Sequence, residues 1–565
     1  MNRTKIRIKI LILSIIGIVT FISFAPSSWY TANKKTLLLY RVAQARVYPP
    51  MVPKYSDVVL RNLTFRPINE KDPYNTIDQI KQFHATRIEW VYCYKFDDSE
   101  RSKIKEIRDL GVLFSGATSG STMHTDLPRK SLEMKMLDGS TPVPPWMAKW
   151  DNPQIFGCQN NPGYKEAHLQ YCKDLIDMGV DMIHRDEAHY PIKKGTKMAS
   201  CFCDYCIFGF TEYLKKNYKA SQLGIDHLDN FNYKVYLTAK NVDPKAVTQT
   251  EWDTPLLVAF INFQANSSVK FHTYIGNELD KYAGRHITRS TNNGGKWVEP
   301  HNVFEYGLSE TVFTEANPQT IYSILKETLK NDKYIVLNKP KTIPLTWTNE
   351  ETVRLLRKVT ATTTAGGGSP RVPVDVFDQF PDGSSAPRYF GLPSEYADMY
   401  GFIRGIPEYL DGFEDAAVYI KNFKDDRYNN NFPYELTDTS RNVVAIARCI
   451  PGNPGSPVAV HLIDWDSKGE FTIRLLSDSF FPGQKIKLKL LTPAIYDEKK
   501  NLEAEENAIK MLPPGDKRGP AQAKAYKELV NSTDLVGKRS GHWTEVKIPA
   551  LNPWGILVVE KFNQD

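Results

Sequence analysis

Between about residues 60 and 380 the hydrophobic period of this chain switches back and forth eight times, which confines it to a repeated strand–helix architecture. Short β-branched or apolar runs predict strands at Leu63–Arg66, Arg87–Cys93, Val112–Gly116, Val180–His184, His286–Ser290, Phe304–Glu310, Tyr334–Asn338 and Val372–Phe377. Stretches of helical period lie between them, as over Asn75–His84, Tyr164–Met178, Gln319–Leu329 and Glu350–Thr363. In the second of these, His168, Tyr171, Cys172 and Leu175 share one face, and Gly179 stops it as a C′ glycine. A helical insertion over about residues 206 to 282 separates the fourth strand from the fifth. Such alternation implies parallel pairing, and eight units favour a closed (β/α)8 TIM barrel over an open doubly wound sheet. No G-x-G-x-x-G follows the first strand, and Gly366-Gly-Gly368 lacks the Lys-Ser/Thr of a phosphate cradle.

After about residue 435 the texture changes to short alternating strands: Val443–Ile450, Val458–Trp465, Phe471–Leu476, Ile486–Leu491, Trp543–Ile548 and Trp554–Glu560. Gly, Pro and Asp turns separate them, the pattern of an antiparallel β-sandwich. The charged stretch Glu498–Lys527 interrupts it and reads as a surface excursion. The expected division is a leader at 1–30, a barrel at 55–430 and a β-sandwich at 435–565. At 565 residues the chain is too long for one core. A hydrophobic content of 41% against 24% charged residues excludes global disorder. The net charge of +7 is small and its cations are interspersed with acids, so no nucleic-acid footprint is expected.

Arg3, Lys5, Arg7 and Lys9 precede the apolar run Ile10 to Ala25. That is a basic n-region and an h-region, so the chain is expected to be exported, with a cleaved signal or an uncleaved N-terminal membrane anchor both open. It would then be secreted, periplasmic or held at the membrane. Seven cysteines in an exported chain suggest disulfides, but an odd count and a C-x-C pair argue against a simple framework.

The densest chemistry lies in Met182-Ile-His-Arg-Asp-Glu-Ala-His-Tyr-Pro191 and, shortly after it, Cys201-Phe-Cys-Asp-Tyr-Cys206. Asp186 and Glu187 end the fourth strand, where a barrel collects its reactive groups. Neighbours on a strand point to opposite faces, so at most one of the two reaches straight into the cleft. The plain alternative is a solvated acidic loop paired with Arg185 or Lys193. Paired carboxylates of this kind suit cleavage of a glycosidic bond, which needs a second acid across the scissile bond. Glu305 and Glu310 lie along the sixth strand, and Glu310, at its end, is the better partner. Asp375 and Asp378 on the eighth are weaker candidates.

The Asp186-Glu187 pair, the C-x-C-x2-C of Cys201, Cys203 and Cys206, and the helix opening at Ile207 resemble the family 42 β-galactosidases, clan A (β/α)8 glycoside hydrolases. The likeness covers roughly residues 155–220. It implies that Glu187 is the general acid/base and that the three thiols join an upstream cysteine, here Cys158, around a structural Zn²⁺. Disulfides and free thiols are the other readings of the cluster. Two departures stand out. The pair is Asp-Glu where the family has Asn-Glu, and the strand-seven glutamate nucleophile of that clan is replaced here by Asn338-Lys339. Other barrel glycosidases place an Asp nucleophile after strand four and an acid after strand six, a plan that Asp186 and Glu310 resemble.

Candidates for binding a carbohydrate substrate are Arg66, Asn160, Asn161, His184, His189, Asn292 with Asn293, and Trp297. Trp90, Trp146 and Trp150 are further stacking candidates, although each is equally a core or rim residue. The expected activity is an exported glycosidase using Glu187 as acid/base, Glu310 as partner and Asp186 as rival nucleophile or orienter. A non-catalytic carbohydrate-binding or cell-envelope protein on the same scaffold is the alternative. A zinc deacetylase would need His/Asp ligands around an open metal, and the sequence shows no such cluster.

Overall fold

The structure is a computed structural model. It describes residues 39, 43–47, 49–61, 76–123, 131–145, 147–148, 153–188, 192, 199–251, 253–309, 316–337, 349–375, 388–423, 433–510 and 524–562.

Eight strands form one parallel sheet in chain order: β1 (Val59–Arg61), β2 (Arg87–Tyr92), β3 (Leu113–Ser119), β4 (Met182–Asp186), β5 (Arg289–Thr291), β6 (Tyr306–Ser309), β7 (Tyr334–Leu337) and β8 (Ser369–Pro370). A parallel bridge between Val59 and Arg371, with the Val372 N–H donating to the Val59 carbonyl at 3.0 Å, joins the last strand to the first. The sheet is therefore a closed barrel, and its side-chain period of two fixes which residues fill it.

The connecting helices begin and end where their caps dictate. In α1 (Thr76–Gln82) Gln79 and Ile80 are buried. Helix α2 (Asp98–Asp109) starts at Asp97, whose side chain accepts from the Glu100 N–H. Helix α3 (Pro162–Asp177) has Asn161 as its N-cap and Pro162 at its first turn, and it stops before Gly179 at φ +92°. The insertion after β4 is helical as expected, opening with α4 (Asp204–Asn217) and closing with α5 (Pro255–Ala283). Behind β6 and β7 lie α6 (Pro318–Lys330) and α7 (Asn349–Ala365).

Register assigns Arg87, Glu89, Met182, His184, Asp186, Ser290 and Tyr306 to the inner face. The centre of the barrel is consequently ionic. Glu89 and Arg87, both fully buried, pair at 2.6 Å, and the Tyr306 hydroxyl donates to both Glu89 oxygens at 2.9 and 3.0 Å. Arg87 also reaches Asp57 at 3.5 Å. Burying these charges is costly, and mutual pairing is what makes it tolerable.

The chain forms two compact units. One comprises Arg46–Asp411 and Pro493–Val530. The charged excursion is thus part of the barrel unit: within it α9 (Glu498–Lys510) brings Glu505 to His84 at 2.9 Å. Tyr496 and Tyr526 stand edge-on to the His84 ring at 5.4 and 5.3 Å. Arg404, on α8 (Ala397–Gly405), donates to the His84 carbonyl at 2.9 Å. Burial pushes the Glu505 carboxyl up, but the His84 hydrogen bond and Arg404 outweigh it and hold the group below its ordinary range.

The second unit holds two antiparallel sheets. One has the order β9 (Glu414–Tyr419), β11 (Val443–Cys449), β12 (Val458–Asp464), β18 (Trp554–Lys561), β14 (Ile486–Pro493) and β15 (Val530–Leu535). The other runs β10 (Tyr434–Leu436), β13 (Phe471–Leu476), β17 (Trp543–Ile548) and β16 (Lys538–Ser540). Leu462, Ile473, Leu490, Val546 and Leu557 belong to the core of this unit.

Three expectations need correction. The first barrel strand is Val59–Arg61; the run Leu63–Arg66 lies outside the described residues, and the apolar triplet just before it does the pairing. The eighth is Ser369–Pro370, because backbone pairing there needs no apolar run, whereas Val374–Asp375 forms a two-stranded antiparallel sheet with Arg388–Tyr389. Glu414–Tyr419, expected inside the barrel segment, is a strand of the six-stranded antiparallel sheet.

Removing one partner of the central ion pair leaves a buried charge. Glu89→Gln should lower the unfolding free energy by about 3–5 kcal/mol, read from the shift of the guanidinium midpoint. A loss below about 1 kcal/mol would show that water or relaxation compensates Arg87.

Candidate functional site

The C-terminal ends of β1, β2 and β4 converge on one polar, aromatic mouth. On β4 the inner face carries Met182, His184 and finally Asp186. Arg185 faces outward, fully buried, with its guanidinium against the His272 Nδ1 and 5.0 Å from the Phe304 ring centroid. It therefore leaves the mouth, and burial pushes its guanidinium down to about 10.

Strand β2 supplies the aromatic wall. Its register to β3 slips between Ile88 and Val91, and Trp90 in that bulge has φ +67°. A left-handed tryptophan costs on the order of 1–3 kcal/mol, and the bulge uses it to aim the indole into the barrel. The ring lies 4.2 Å from His184, centroid to centroid, and the Arg61 guanidinium carbon sits 3.6 Å over it. Trp90 Nε1 donates to the Tyr92 hydroxyl at 3.4 Å, and Tyr92 donates to Asp186 Oδ2 at 3.5 Å. Tyr94 stacks on Tyr92 with ring centroids 5.9 Å apart and is 58% exposed, so the aromatic file reaches solvent. Burial, followed by the Asp186 charge, pushes the Tyr92 phenol well up, keeping it a hydrogen-bond donor.

His184 is fully buried, with Nδ1 at 2.9 Å from Ser290 Oγ. Burial first, and the Arg61 charge second, hold it well below the ordinary histidine range, so the ring is neutral near pH 7. Glu187 leaves the strand at φ +54°, the second left-handed non-glycine residue of the mouth.

A separate cluster holds the thiols. One ligand atom from each of Cys158, Cys201, Cys203 and Cys206 lies within 4.8 Å of the others. Cys158 Sγ is 3.4 Å from Cys203 Sγ and 3.5 Å from Cys206 Sγ, and the four are not disulfide-bonded. The Lys135 N–H and Asn160 Nδ2 donate to Cys201 and Cys206 at 3.3 and 3.2 Å. Tetrahedral ligands about 2.3 Å from a metal stand near 3.8 Å apart, so this donor set is compatible with a metal ion.

Hydrogen bonds tie that cluster to the mouth. Gln159, next to Cys158, donates to the Gly120 carbonyl at 2.9 Å, and the Gly120 N–H donates to the Asp186 carbonyl. A Cβ on Gly120 would meet that carbonyl oxygen and His272 at 3.0 Å each, so a side chain there would have to push both back by a few tenths of an ångström. From α5, Gln264 donates to the Cys201 carbonyl at 3.3 Å and Ser268 to that of Ala188 at 3.2 Å.

The remaining candidates sort cleanly. Asn160 belongs to the thiol cluster, and Asn161 is a helix cap that also donates to the Ser131 carbonyl. Asn292 and Asn293 accept from Gly294 and Gly295 at 3.2 Å each, in turns leaving β5. Trp297 donates to Thr328 in the last turns of α6 at 3.1 Å. Glu305 is taken up by Arg289 at 3.0 Å and His286 at 3.1 Å. Asp375 is described by its backbone alone. Arg66, Trp146, Trp150, His189, Glu310 and Asp378 lie outside the described residues. Arg61, Tyr92 and Tyr94 escaped the sequence reading; a period of two running through Arg87 and Glu89 sets Tyr92 on the opposite face, and only the bulge between Ile88 and Val91 turns it to the side of Ala117 and His184.

A buried histidine held neutral costs stability once the unfolded chain is protonated. Its contribution is complete above about pH 6.5 and is lost as pH falls. Stability should decline between about pH 7 and 5, and His184→Asn should flatten that slope in denaturant titrations at stepped pH. An unchanged slope would mean that His184 takes up a proton in the folded state.

No family model matches the chain, and no curated protein matches it. Among solved structures it is similar to the maltogenic α-amylase AmyB from Thermotoga neapolitana, with 6% identity, 90% of this chain and 99% of that one covered, and a TM-score of 0.46. The Nostoc punctiforme debranching enzyme matches with 8% identity, 91% and 100% coverage and a TM-score of 0.44. For the α-amylase from H. orenii the values are 8%, 89%, 99% and 0.44. Likenesses at these TM-scores carry neither fold nor activity; the barrel stands on its own strand order and hydrogen bonding.

Proposed function

We propose that this chain is a glycoside hydrolase cleaving an oligo- or polysaccharide with two carboxylates. The observation that carries the proposal is Asp186, the last inward-facing residue of β4, beside the Trp90–Tyr92–Tyr94 file. A sugar ring offers an apolar C–H face to aromatic rings and hydroxyls to neutral donors, and the mouth presents both kinds of group. Asp186 is the carboxylate that attacks the anomeric carbon or activates water. Glu310 follows Ser309, the last described residue of β6, and is proposed as the acid that protonates the leaving oxygen. Glu187 keeps the acid/base role only if the family 42 plan holds.

The thiol cluster is proposed to hold Zn²⁺. Four thiolates leave no open position, so the metal's contribution is structural: it anchors the loops that fix the Asp186 and Ala188 carbonyls. The basic and apolar N-terminal segment supports export. Among the described residues no helix is long and apolar enough to cross a membrane.

Release of reducing ends from a polysaccharide panel tests the reaction. Asp186→Asn and Glu310→Gln should each cut kcat by about a thousandfold or more, the scale expected when a general acid or base is removed. Glu187→Gln should cost less; an equal collapse there would favour the family 42 arrangement. Glycan binding without turnover would make the chain a carbohydrate-binding protein. For the metal, elemental analysis of reduced protein should give one zinc per chain, and chelation should lower both melting temperature and turnover. Less than one zinc per two chains would reject the site.

A further inference from the structure

The antiparallel unit contains a cleft of about 600 Å³, within the range of ligand pockets and independent of the barrel mouth. It opens where β15, the edge strand of the six-stranded sheet, gives way to β16 in the other sheet. Residues Asn531 to Asp534 of β15 are all exposed, so the inner face of this strand fronts space instead of a packed sheet. The turn between them is pressed inward at Gly537, where a Cβ would lie 2.3 Å from Thr544 Cγ2. Leu488 and Leu535 give the cleft apolar lining. Phe562, 49% exposed, lines the cleft, and its N–H donates to the Lys485 carbonyl at 2.9 Å, tying the two backbone segments together. Lys485, Lys487 and Arg539 line the cleft against a single acid, Asp534, which lies 3.9 Å from Lys487 Nζ.

We propose that this cleft binds an acidic oligosaccharide of the uronate class. An aromatic ring among apolar lining suits the C–H face of a pyranose, and an excess of cations suits its carboxylates; a neutral glycan would leave the cations unused and a bare anion the ring. An acidic peptide adding to the β15 edge would also meet the cations, but it would pair with backbone and gain little from Phe562. The site rests on this unit alone and holds whether or not the barrel is catalytic.

Calorimetric titration of the full chain carrying Asp186→Asn, with oligogalacturonate, maltohexaose and polyglutamate as probes, tests it. Oligogalacturonate should bind, with affinity falling as salt is raised, and maltohexaose should bind at least about tenfold more weakly. Lys485→Glu with Arg539→Glu should weaken the uronate at least about tenfold while the melting temperature holds. Phe562→Ala, at a half-exposed side chain, should weaken the uronate and leave polyglutamate unaffected. Absence of uronate binding, equal binding of the neutral glycan or of polyglutamate, or indifference to both sets of substitutions would overturn the assignment.

Discussion

The mouth of the barrel depends on how two backbone carbonyls leaving β4 are held. The Asp186 carbonyl accepts from Gly120 at the end of β3, and that of Ala188 accepts from Ser268 on α5. One clamp comes from the neighbouring strand and the other from a helix far along the chain. Both clamps lead back to the thiol cluster, through Gln159 and through Gln264. A loop fixed on two sides can keep Glu187 in a left-handed conformation that an unrestrained chain would relax.

The barrel's interior is polar where many are aliphatic, and the gradient along its axis has a physical logic. At mid-height Arg87, Glu89 and Tyr306 satisfy one another almost completely. One layer up, satisfaction comes from aromatic faces: Arg61 lies over Trp90, and Trp90 over His184. Higher still, Tyr92 and Asp186 meet at a long 3.5 Å and the file of rings ends in solvent at Tyr94. Polar groups thus pass from closed to open as the barrel meets water.

Much of this was legible before any coordinates. The alternation of period marked six of the eight barrel strands within a few residues, because their apolar runs are long enough to show it. The ends of the barrel were not legible: β1 is three residues and β8 two, and β8 is a Ser-Pro pair whose place is set by partners on either side. The grouping of Cys158 with the Cys201 trio followed from the resemblance, and the sulfurs do converge. Asn161, Asn292 and Asn293 are held in cap and turn hydrogen bonds for a plain reason. Asparagine at a strand end or helix start serves turns and caps as readily as ligands.

The sequence by itself determined the architecture, since strand and helix periods are local properties that each segment carries alone. It also determined that two acids end the fourth strand. Tertiary structure alone decided which of them faces the barrel, because a side chain's direction depends on register against β3 and β5. Only there did Arg185 turn outward to His272, and only there did Trp90 enter the interior through a bulge that no residue pattern announces. The same holds for residues 493–510 and 524–530, which interrupt the β-sandwich in sequence yet belong to the barrel unit, because His84, the partner of Glu505, lies hundreds of residues away.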